Sequence, residues 1–364
     1  METEYFDSYA GSRAAFLALA RARSSRLRSH LLDGKRGVDG EELALDVAIF
    51  GAPDARKALL IICGTHGLEG PPGSAVQRRF IAECSAIPED VKIVAVHALN
   101  PWGFSHGSRT DDENIDPNRN FIDFSAALPV SRAYAELHAA QCPDIWTDDA
   151  GEDLRQAIIE LVKRDGLAFA MAGLTIGQYQ EPTGLNFGGV RPSWSNQVFQ
   201  RVVAEELSGC EKIAYVEWHS GLGEYGELFH VCLHPPGSEA LERVSMWWGH
   251  QAVTRNGAAI QGTGGAAPNW QGLIMTALPK LLPEARIAGA VIEFGTFENT
   301  KVLGGLMIDR WLKFGHENRS SSERAQLEQI KRDIFSPSDP TWRRLVGERA
   351  LAAQMRAFEG LCLW

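Results

Sequence analysis

The sequence has 364 residues, of which 45% are hydrophobic and 23% are charged, a composition typical of a globular protein with a sizeable core. Its formal net charge of −10 gives a polyanion no electrostatic attraction and argues against nucleic acid as a partner. The amino terminus is acidic and no apolar run approaches the length of a membrane span, so we expect no membrane association and a cytoplasmic address. The six cysteines show no C-x-x-C spacing and indicate neither a disulfide framework nor a thiolate zinc site.

Predicted strands and helices alternate along the chain. A stretch rich in Ala, Leu and Arg predicts a surface helix over residues 12–32. Further strands are predicted at 43–50, near a sheet edge, and at 58–63, 91–98, 212–218, 227–234 and 289–297. Further helices are predicted at 73–84, 152–171, 195–207, 303–314 and 322–358, the last interrupted by prolines. The alternation predicts a doubly wound α/β sheet, and no repeat or composition shift marks a domain boundary within residues 1–364.

The stretch A-L-L-I-I-C-G-T-H-G-L-E-G-P-P-G, residues 58–73, places a histidine and a glutamate where an apolar run stops. The run 59–63 is continuous and bounded by Gly64, which favours a strand buried on both faces. His66 and Glu69 follow it, and the carboxyl ends of strands are where open α/β sheets place their chemistry. These two residues are therefore predicted to form part of a metal site.

A second strand end repeats this pattern. The predicted strand 212–218 runs directly into His219-Ser-Gly. A lone histidine at a strand end is more often a structural residue than a ligand, but two at the ends of buried strands favour His219 as the third ligand. Glu217 is a candidate for burial beside it, and His230 and His234 are weaker alternative ligands.

The loop at residues 100–121 carries two arginines in a short polar stretch. Polar loops usually reflect solvation alone, but this one leaves a strand at the same predicted rim as His66. Arginine stays charged and is not a metal ligand, so we expect it to bind a substrate carboxylate or a developing oxyanion. Arg109 is assigned the oxyanion and Arg119 the carboxylate. Asp116 is the best-placed acceptor for the N–H of a ligating imidazole.

Glu293 stands in the middle of the apolar segment G-A-V-I-E-F-G-T-F. An ionised carboxylate there costs free energy unless something pairs with it. The purely structural interpretation is a salt bridge to an arginine such as Arg109. The functional interpretation is a general base with a perturbed pKa, which takes a proton from water and returns it to a leaving amine. Two histidines and one glutamate would leave a fourth zinc position for that water and lower its pKa towards ~7.

Four motifs give a family resemblance: H-G-L-E-G (66–70), R-T-D-D-E-N-I-D-P-N-R-N-F (109–121), W-H-S-G (218–221) and I-E-F-G-T (292–296). In this order they resemble the zinc metallocarboxypeptidase family, which includes carboxypeptidase A-like peptidases and the succinylglutamate desuccinylase and aspartoacylase branch. The resemblance covers about residues 58–297. It implies a single zinc carboxypeptidase-like α/β domain with three α/β/α layers and a mixed, mostly parallel central sheet, and it implies one Zn²⁺. It implies His66, Glu69 and His219 as zinc ligands, Arg109 as the oxyanion arginine, Asn118 and Arg119 as carboxylate binders, and Glu293 as general base.

Two features depart from the family. The stretch between Asn120 and His219 is long, and it predicts an insertion around residues 150–200 whose aromatic loop 177–196 acts as a lid or specificity wall, or packs on the sheet as a surface excursion. Carboxypeptidases also place a mobile tyrosine some twenty residues before the base, whereas no tyrosine lies between residues 261 and 293. Tyr179 or Tyr225 would have to replace it, unless no residue does.

The resulting prediction is a zinc-dependent hydrolase of an amide bond next to a free carboxylate, with a small molecule or short peptide as substrate. A carboxypeptidase needs an open groove, whereas an N-acyl amino acid deacylase needs a closed pocket. A third alternative is a catalytically silent protein that captures carboxylates. Such a protein is expected to lose the base or a ligand, and this sequence has lost neither.

Overall fold

A computed structural model describes residues 5–253, 270–316 and 318–364. Within these ranges lie seven strands: β1 (Arg26–Arg36), β2 (Glu42–Gly51), β3 (Lys57–Ile62), β4 (Val91–His97), β5 (Lys212–Gly221), β6 (Leu228–Val231) and β7 (Arg286–Gly295). They form one sheet in the order β1-β2-β4-β3-β5-β7-β6. The pairs β4–β3, β3–β5 and β5–β7 are parallel, and β1–β2, β2–β4 and β7–β6 are antiparallel. The predicted mixed sheet is confirmed, and all strands except β2 and β6 run in one direction.

The same ranges contain α1 (Tyr9–Arg23), α2 (Gly70–Glu83), α3 (Pro101–His106), α4 (Arg132–Gln141), α5 (Ala150–Asp165), α6 (Leu167–Thr175), α7 (Trp194–Glu206), α8 (Glu239–Trp248), α9 (Ile274–Leu281), α10 (Asn299–Phe314), α11 (Ser321–Phe335) and α12 (Pro340–Cys362). Short 3₁₀ turns span Gly67–Glu69 and Pro117–Arg119. None of the helices described is long and apolar enough to cross a membrane.

Helices cover both faces of the sheet. Leu59 and Ile61 of β3 pack with α1, α2, α8 and α12 on one face, whereas Leu60 and Ile62 pack with α7 and α9 on the other. All four side chains are fully buried, because successive residues of a strand point to opposite faces and both faces here are covered. The three-layer α/β/α architecture is therefore confirmed, as is the strand buried on both faces.

The helix predicted over residues 12–32 is wrong in its second half. Helix α1 ends at Arg23, and the chain then forms the edge strand β1, whose Arg26 pairs with Ile49 of β2. The few leucines of this polar stretch are spaced as on a helix face, but the open edge of β2 offers a ladder of backbone hydrogen bonds. Strand β2 is consequently internal and almost wholly buried, not near an edge as predicted.

The helix predicted over residues 152–171 is divided in two. Gly166 has a φ of 90°, a conformation that favours glycine and ends α5 before α6 begins. These helices and α4 pack on one another around small apolar clusters of their own. Residues 150–200, predicted to form an insertion, contain α5, α6, the loop that follows and the start of α7. The insertion and its role as a lid stay predictions.

His230 of β6 is a buried histidine with no role in the site described below. Both ring nitrogens lack a hydrogen-bond partner among the described residues, and the ring lies 5.1 Å from that of Trp248, centroid to centroid. Burial lowers the pKa of His230 to about 4. An unsatisfied buried polar group costs about 1–3 kcal/mol, so the neutral imidazole is expected to reduce the stability of the fold.

We expect His230→Phe to stabilise the protein against urea by about 1–3 kcal/mol at pH 7.5, because the new ring has no polar atom to satisfy. The gain should be larger at pH 5. Between about pH 6.5 and pH 4 the unfolded histidine is protonated while the folded one is not, so protons favour the unfolded wild type. His234→Phe is the control and should destabilise, because the His234 Nε2 bonds the backbone of Gly289 at 2.9 Å. A pH-independent gain in His230→Phe would contradict this account.

Candidate metal centre

The turn after β3 presents two of the predicted ligands. His66 precedes the 3₁₀ turn Gly67–Glu69, which continues directly into α2. The turn lies against α3 so closely that a Cβ on Gly67 would stand 1.8 Å from the carbonyl carbon of Gly103. Only glycine fits this approach. The turn brings His66 Nδ1 to 3.0 Å from Glu69 Oε1, and both side chains are buried.

The third predicted ligand reaches the same point from the next strand. Because β3 and β5 are parallel neighbours, their carboxyl ends lie at one edge of the sheet. His219 Nδ1 is 3.1 Å from His66 Nδ1 and 3.0 Å from Glu69 Oε2. One ligand atom from each of the three residues lies within 4.8 Å of the others, the single such group found in the part of the chain that is described.

The outward nitrogen of each imidazole contacts a carboxylate. His66 Nε2 is 3.1 Å from Asp116 Oδ1, and His219 Nε2 is 2.9 Å from Glu217 Oε1. A carboxylate at Nε2 keeps the proton on that nitrogen and turns the Nδ1 lone pair inward, as in histidines that bind metals. The donor set of two imidazoles and one carboxylate suits zinc. Asp116 thus lies against the imidazole of His66, and its role as acceptor for a ligating imidazole stays a prediction.

The charges of the cluster also fit a cation. Burial opposes ionisation of Glu69, yet the attraction of His66 and His219 holds the pKa of that carboxyl far below its usual range. Burial likewise opposes protonation of His219, but the carboxylates of Glu217 and Glu69 raise the pKa of its imidazole well above the usual value. The cluster is therefore an anionic environment that attracts positive charge, and a metal ion would take the place of the proton.

Glu217, which contacts His219, is a residue to which the sequence assigned no role in the site. Its carboxylate is fully buried, accepts a hydrogen bond from Thr65 Oγ1 at 2.7 Å, and accepts a second from the hydroxyl of Tyr215. Glu217 and His219 stand two residues apart on one strand and so project from the same face. The sequence pattern that could have identified this contact is a carboxylate two positions before a candidate ligand at a strand end.

We expect Glu217→Ala to weaken zinc binding by roughly 10- to 100-fold, because the imidazole of His219 loses the group that orients it. Competition titration with a fluorescent zinc chelator measures this affinity. Tyr215→Phe is the matched control: it removes one hydrogen bond to the carboxylate but leaves the contact with His219, so its effect should be smaller. Equal affinities for the wild type and Glu217→Ala would contradict the orienting role.

Arg109 contacts the ligand cluster directly. Its Nε donates to Asp116 Oδ2 at 3.0 Å, and its Nη1 lies 3.2 Å from His66 Nδ1 and 3.4 Å from Glu69 Oε1. Burial disfavours the charge, but the carboxylates of Asp116 and Glu69 raise the pKa of the guanidinium above its usual value. The predicted oxyanion arginine thus carries a fixed positive charge at the cluster.

Glu293 lies beside the third ligand, because it is paired in register with His219 across β5 and β7. Its Oε2 accepts a long hydrogen bond from the backbone of Leu222 at 3.4 Å. Burial, followed by the negative charge of Glu69, raises the pKa of Glu293 to about 7. The alternative of a salt bridge to Arg109 is not observed, since that guanidinium pairs with Asp116 and Glu69.

Asn118 and Arg119, the predicted carboxylate binders, lie beside the cluster, but their side chains form hydrogen bonds with backbone groups. Asn118 Oδ1 accepts from the N–H of Ile274 at 2.9 Å. Arg119 donates from Nη1 to the carbonyl of Asn118 at 2.8 Å and from Nη2 to that of Thr175 at 2.9 Å. Its Nε has no partner, and no carboxylate lies within ion-pair distance of this buried guanidinium, in the ranges that the structure describes. Burial lowers the pKa of Arg119.

The loop 177–196 packs against the segment that carries these residues. The N–H of Asp116 donates to the carbonyl of Phe187 at 2.8 Å, and Asn120 Nδ2 donates to that of Gly188 at 2.7 Å. The buried hydroxyl of Tyr179 donates to the carbonyl of Arg119 at 2.7 Å. The loop therefore supports this side of the site, whether or not it also acts as a lid.

Neither tyrosine weighed as a replacement for the carboxypeptidase tyrosine has its hydroxyl at the cluster. That of Tyr179 is held by Arg119, and that of the exposed Tyr225 donates to Asp339 Oδ2 at 3.0 Å. Residues 261–269 of the stretch before the base lie outside the described residues. The weaker ligand candidates are also elsewhere: His230 packs on Trp248, and the backbone of Gly289 binds His234.

A model of one protein family, described as "Protein of unknown function (DUF2817)", matches residues 5–349. The chain belongs to this family. No curated protein matches the DUF2817 chain significantly. Bovine thrombin-activatable fibrinolysis inhibitor, solved in complex with tick carboxypeptidase inhibitor, is 12% identical with a TM-score of 0.51, and the match covers 99% of the DUF2817 chain and 98% of the bovine chain. The carboxypeptidase-like fold implied by the motifs is therefore confirmed.

Two bacterial structures match the DUF2817 chain at lower TM-scores. Murein-tripeptide amidase MpaA from Escherichia coli O157 is 16% identical with a TM-score of 0.35, covering 83% of the DUF2817 chain and 97% of its own. An aspartoacylase family protein from Mesorhizobium loti is 13% identical with a TM-score of 0.36, covering 81% and 68%.

Proposed function

We propose that the protein is a zinc-dependent hydrolase that cleaves an amide bond next to a free carboxylate. The observation that carries the proposal is the convergence of His66, Glu69 and His219 beside Glu293 and Arg109 in one buried cluster. Two imidazoles, a carboxylate, a separate carboxylate base and a fixed cation are the groups that metal-assisted amide hydrolysis requires.

His66, Glu69 and His219 would hold the zinc ion. When bound, zinc polarises a carbonyl oxygen and lowers the pKa of water. Glu293 accepts the proton of the attacking water at its carboxylate and returns it to the leaving amine. The guanidinium of Arg109 neutralises the oxyanion that develops on the carbonyl.

Selection for a substrate carboxylate rests on Arg119 and Asn118. A buried guanidinium without an anionic charge in contact is costly. Arg119 has no carboxylate within ion-pair distance among the described residues, and Asp116 acts on it only from farther away. An incoming carboxylate would supply that charge and accept from the guanidinium, and Asn118 stands beside it on the same turn. This supports a substrate whose carboxylate lies close to the scissile amide, whether a peptide carboxyl terminus or an N-acyl amino acid.

The direct test is to measure bound zinc in the purified protein by mass spectrometry and to assay the loaded protein on a panel of dipeptides, N-acyl amino acids and cell-wall peptides. Each substrate should be paired with its amide, which lacks the carboxylate charge. The proposal expects cleavage of at least one free acid and much slower cleavage of its amide. Saturable binding of the acids without cleavage of any would instead support the silent carboxylate-binding protein.

A further inference from the structure

A buried ion pair lies beneath the loop of Arg109, in helices outside the range of the family resemblance. Lys331 Nζ of α11 is 3.2 Å from Asp309 Oδ1 of α10, and the two side chains are 2% and 6% exposed. Desolvation offsets much of the attraction in such a pair, so it is weak evidence for a stabilising role alone. The hydrogen bonds that the second oxygen of the Asp309 carboxylate accepts indicate the role of the pair.

Asp309 Oδ2 holds the backbone from which Arg109 projects. It accepts from the N–H of Arg109 at 2.9 Å and from the hydroxyl of Ser108 at 3.1 Å. The carbonyl of Ser108 in turn accepts from the N–H of Leu68 at 3.0 Å, within the turn between His66 and Glu69. The Asp309 carboxylate therefore links α10 and α11 to the loop that carries Arg109. Through Ser108 it also links them to the turn that carries the proposed metal ligands.

We propose that Asp309, neutralised by Lys331, is a positioning residue that fixes the backbone of Arg109 so that its guanidinium reaches the His66–Glu69 cluster. This inference rests on the proposed function, because it assigns Arg109 to the reaction. Hydrogen bonds from N–H and O–H groups to an ionised carboxylate are stronger than neutral ones. Lys331 permits the carboxylate to stay ionised while buried, since an unpaired buried charge would be expensive.

The neighbouring contacts support a rigid mounting. Lys313, also of α10, donates from Nζ to Thr110 Oγ1 at 2.5 Å, one residue beyond the arginine. Thr110 Oγ1 itself donates to Asn114 Oδ1 at 2.9 Å. Both ends of the short segment 108–110 are thus hydrogen-bonded to α10. The guanidinium at the end of the Arg109 side chain is held separately by Asp116.

The kinetic test compares Asp309→Asn in two backgrounds, with the best substrate of the panel above. In the wild-type background we expect kcat to fall by roughly 10- to 100-fold, with a smaller change in KM and unchanged zinc content. In the Arg109→Ala background the same substitution should have no further effect on kcat, because there is no guanidinium left to position. An equal loss of kcat in both backgrounds would overturn the proposal.

Glu328→Gln is the matched control. Glu328 Oε2 contacts Lys331 Nζ at 2.8 Å. This variant therefore removes the second carboxylate that pairs with Lys331 and leaves the hydrogen bonds from Ser108 and Arg109 to Asp309 unchanged. Its kcat should equal that of the wild type. If Asp309→Asn does not fold, Ser108→Ala removes one of the two donors to Asp309 and should lower kcat by a smaller factor in the wild-type background only.

A second measurement needs no activity. Amide hydrogen exchange of the metal-free protein should show faster exchange at Arg109 in Asp309→Asn than in the wild type, while the amides of β3 keep their protection. Unchanged protection at Arg109 would overturn the positioning role. If the zinc-loaded wild type hydrolyses no member of the panel, the proposed function fails, whereas the exchange experiment still decides whether Asp309 holds Arg109.

Discussion

Substitution of His219 by alanine is expected to abolish stoichiometric zinc binding. The imidazole contributes one of three converging ligand atoms, and its loss leaves Glu69 and Glu217 buried without the partner that each contacts at about 3 Å. Since loss of a group that only orients a ligand costs 10- to 100-fold in affinity, loss of the ligand should cost more than about 100-fold. Mass spectrometry of metal content after dialysis measures the zinc-to-protein ratio.

The same result is expected for His66→Ala and Glu69→Ala, which remove the other two ligand atoms. His230→Phe serves as the control, because it changes a buried histidine that faces Trp248 and not the cluster. That variant should keep the wild-type ratio of zinc to protein. Stoichiometric zinc in all three ligand variants would rule out the metal site.

Glu293→Gln is expected to lower kcat by roughly 10²- to 10⁴-fold while zinc binding stays nearly intact. Glutamine keeps the shape of the side chain and can still accept the hydrogen bond from Leu222, but it cannot take up a proton. Glu293 is not among the three residues whose ligand atoms converge. The measurement is kcat on the best substrate of the panel, with zinc content determined on the same sample.

Glu298→Gln is a suitable control for this change, because Glu298 is an exposed residue five positions along the chain. It should leave both kcat and zinc content at wild-type values. Full activity in Glu293→Gln would remove the general base from the proposed mechanism, even if the metal site were sound. Loss of zinc in that variant would instead assign Glu293 a part in metal binding.

Much of the cluster was predictable because it depends on strand ends. His66 and His219 follow runs of mostly buried apolar residues, and Glu293 stands within such a run near the carboxyl end of its strand. Such runs are visible in the sequence. Parallel neighbours bring these ends to one edge of the sheet, and the structure places all three residues there. Their roles in binding and catalysis stay predictions until the variants are measured.

The errors lie where a local pattern competed with tertiary structure. The polar stretch after α1 has leucines at helical spacing, yet it forms β1 because the edge of β2 was open to pairing. Gly166 divides the helix predicted at 152–171 through a backbone conformation that residue spacing does not reveal.

Local sequence therefore established the buried strands, their polar ends and the kinds of side chain at the centre, because these depend on residue type and spacing along the chain. Only the tertiary structure decided which distant groups support that centre. Asp309 reaches Arg109 from 200 positions along the chain, and Lys331 neutralises it from the next helix. Neither is part of a motif, since a buried charge pair is defined by packing between helices and leaves no periodic trace in the sequence.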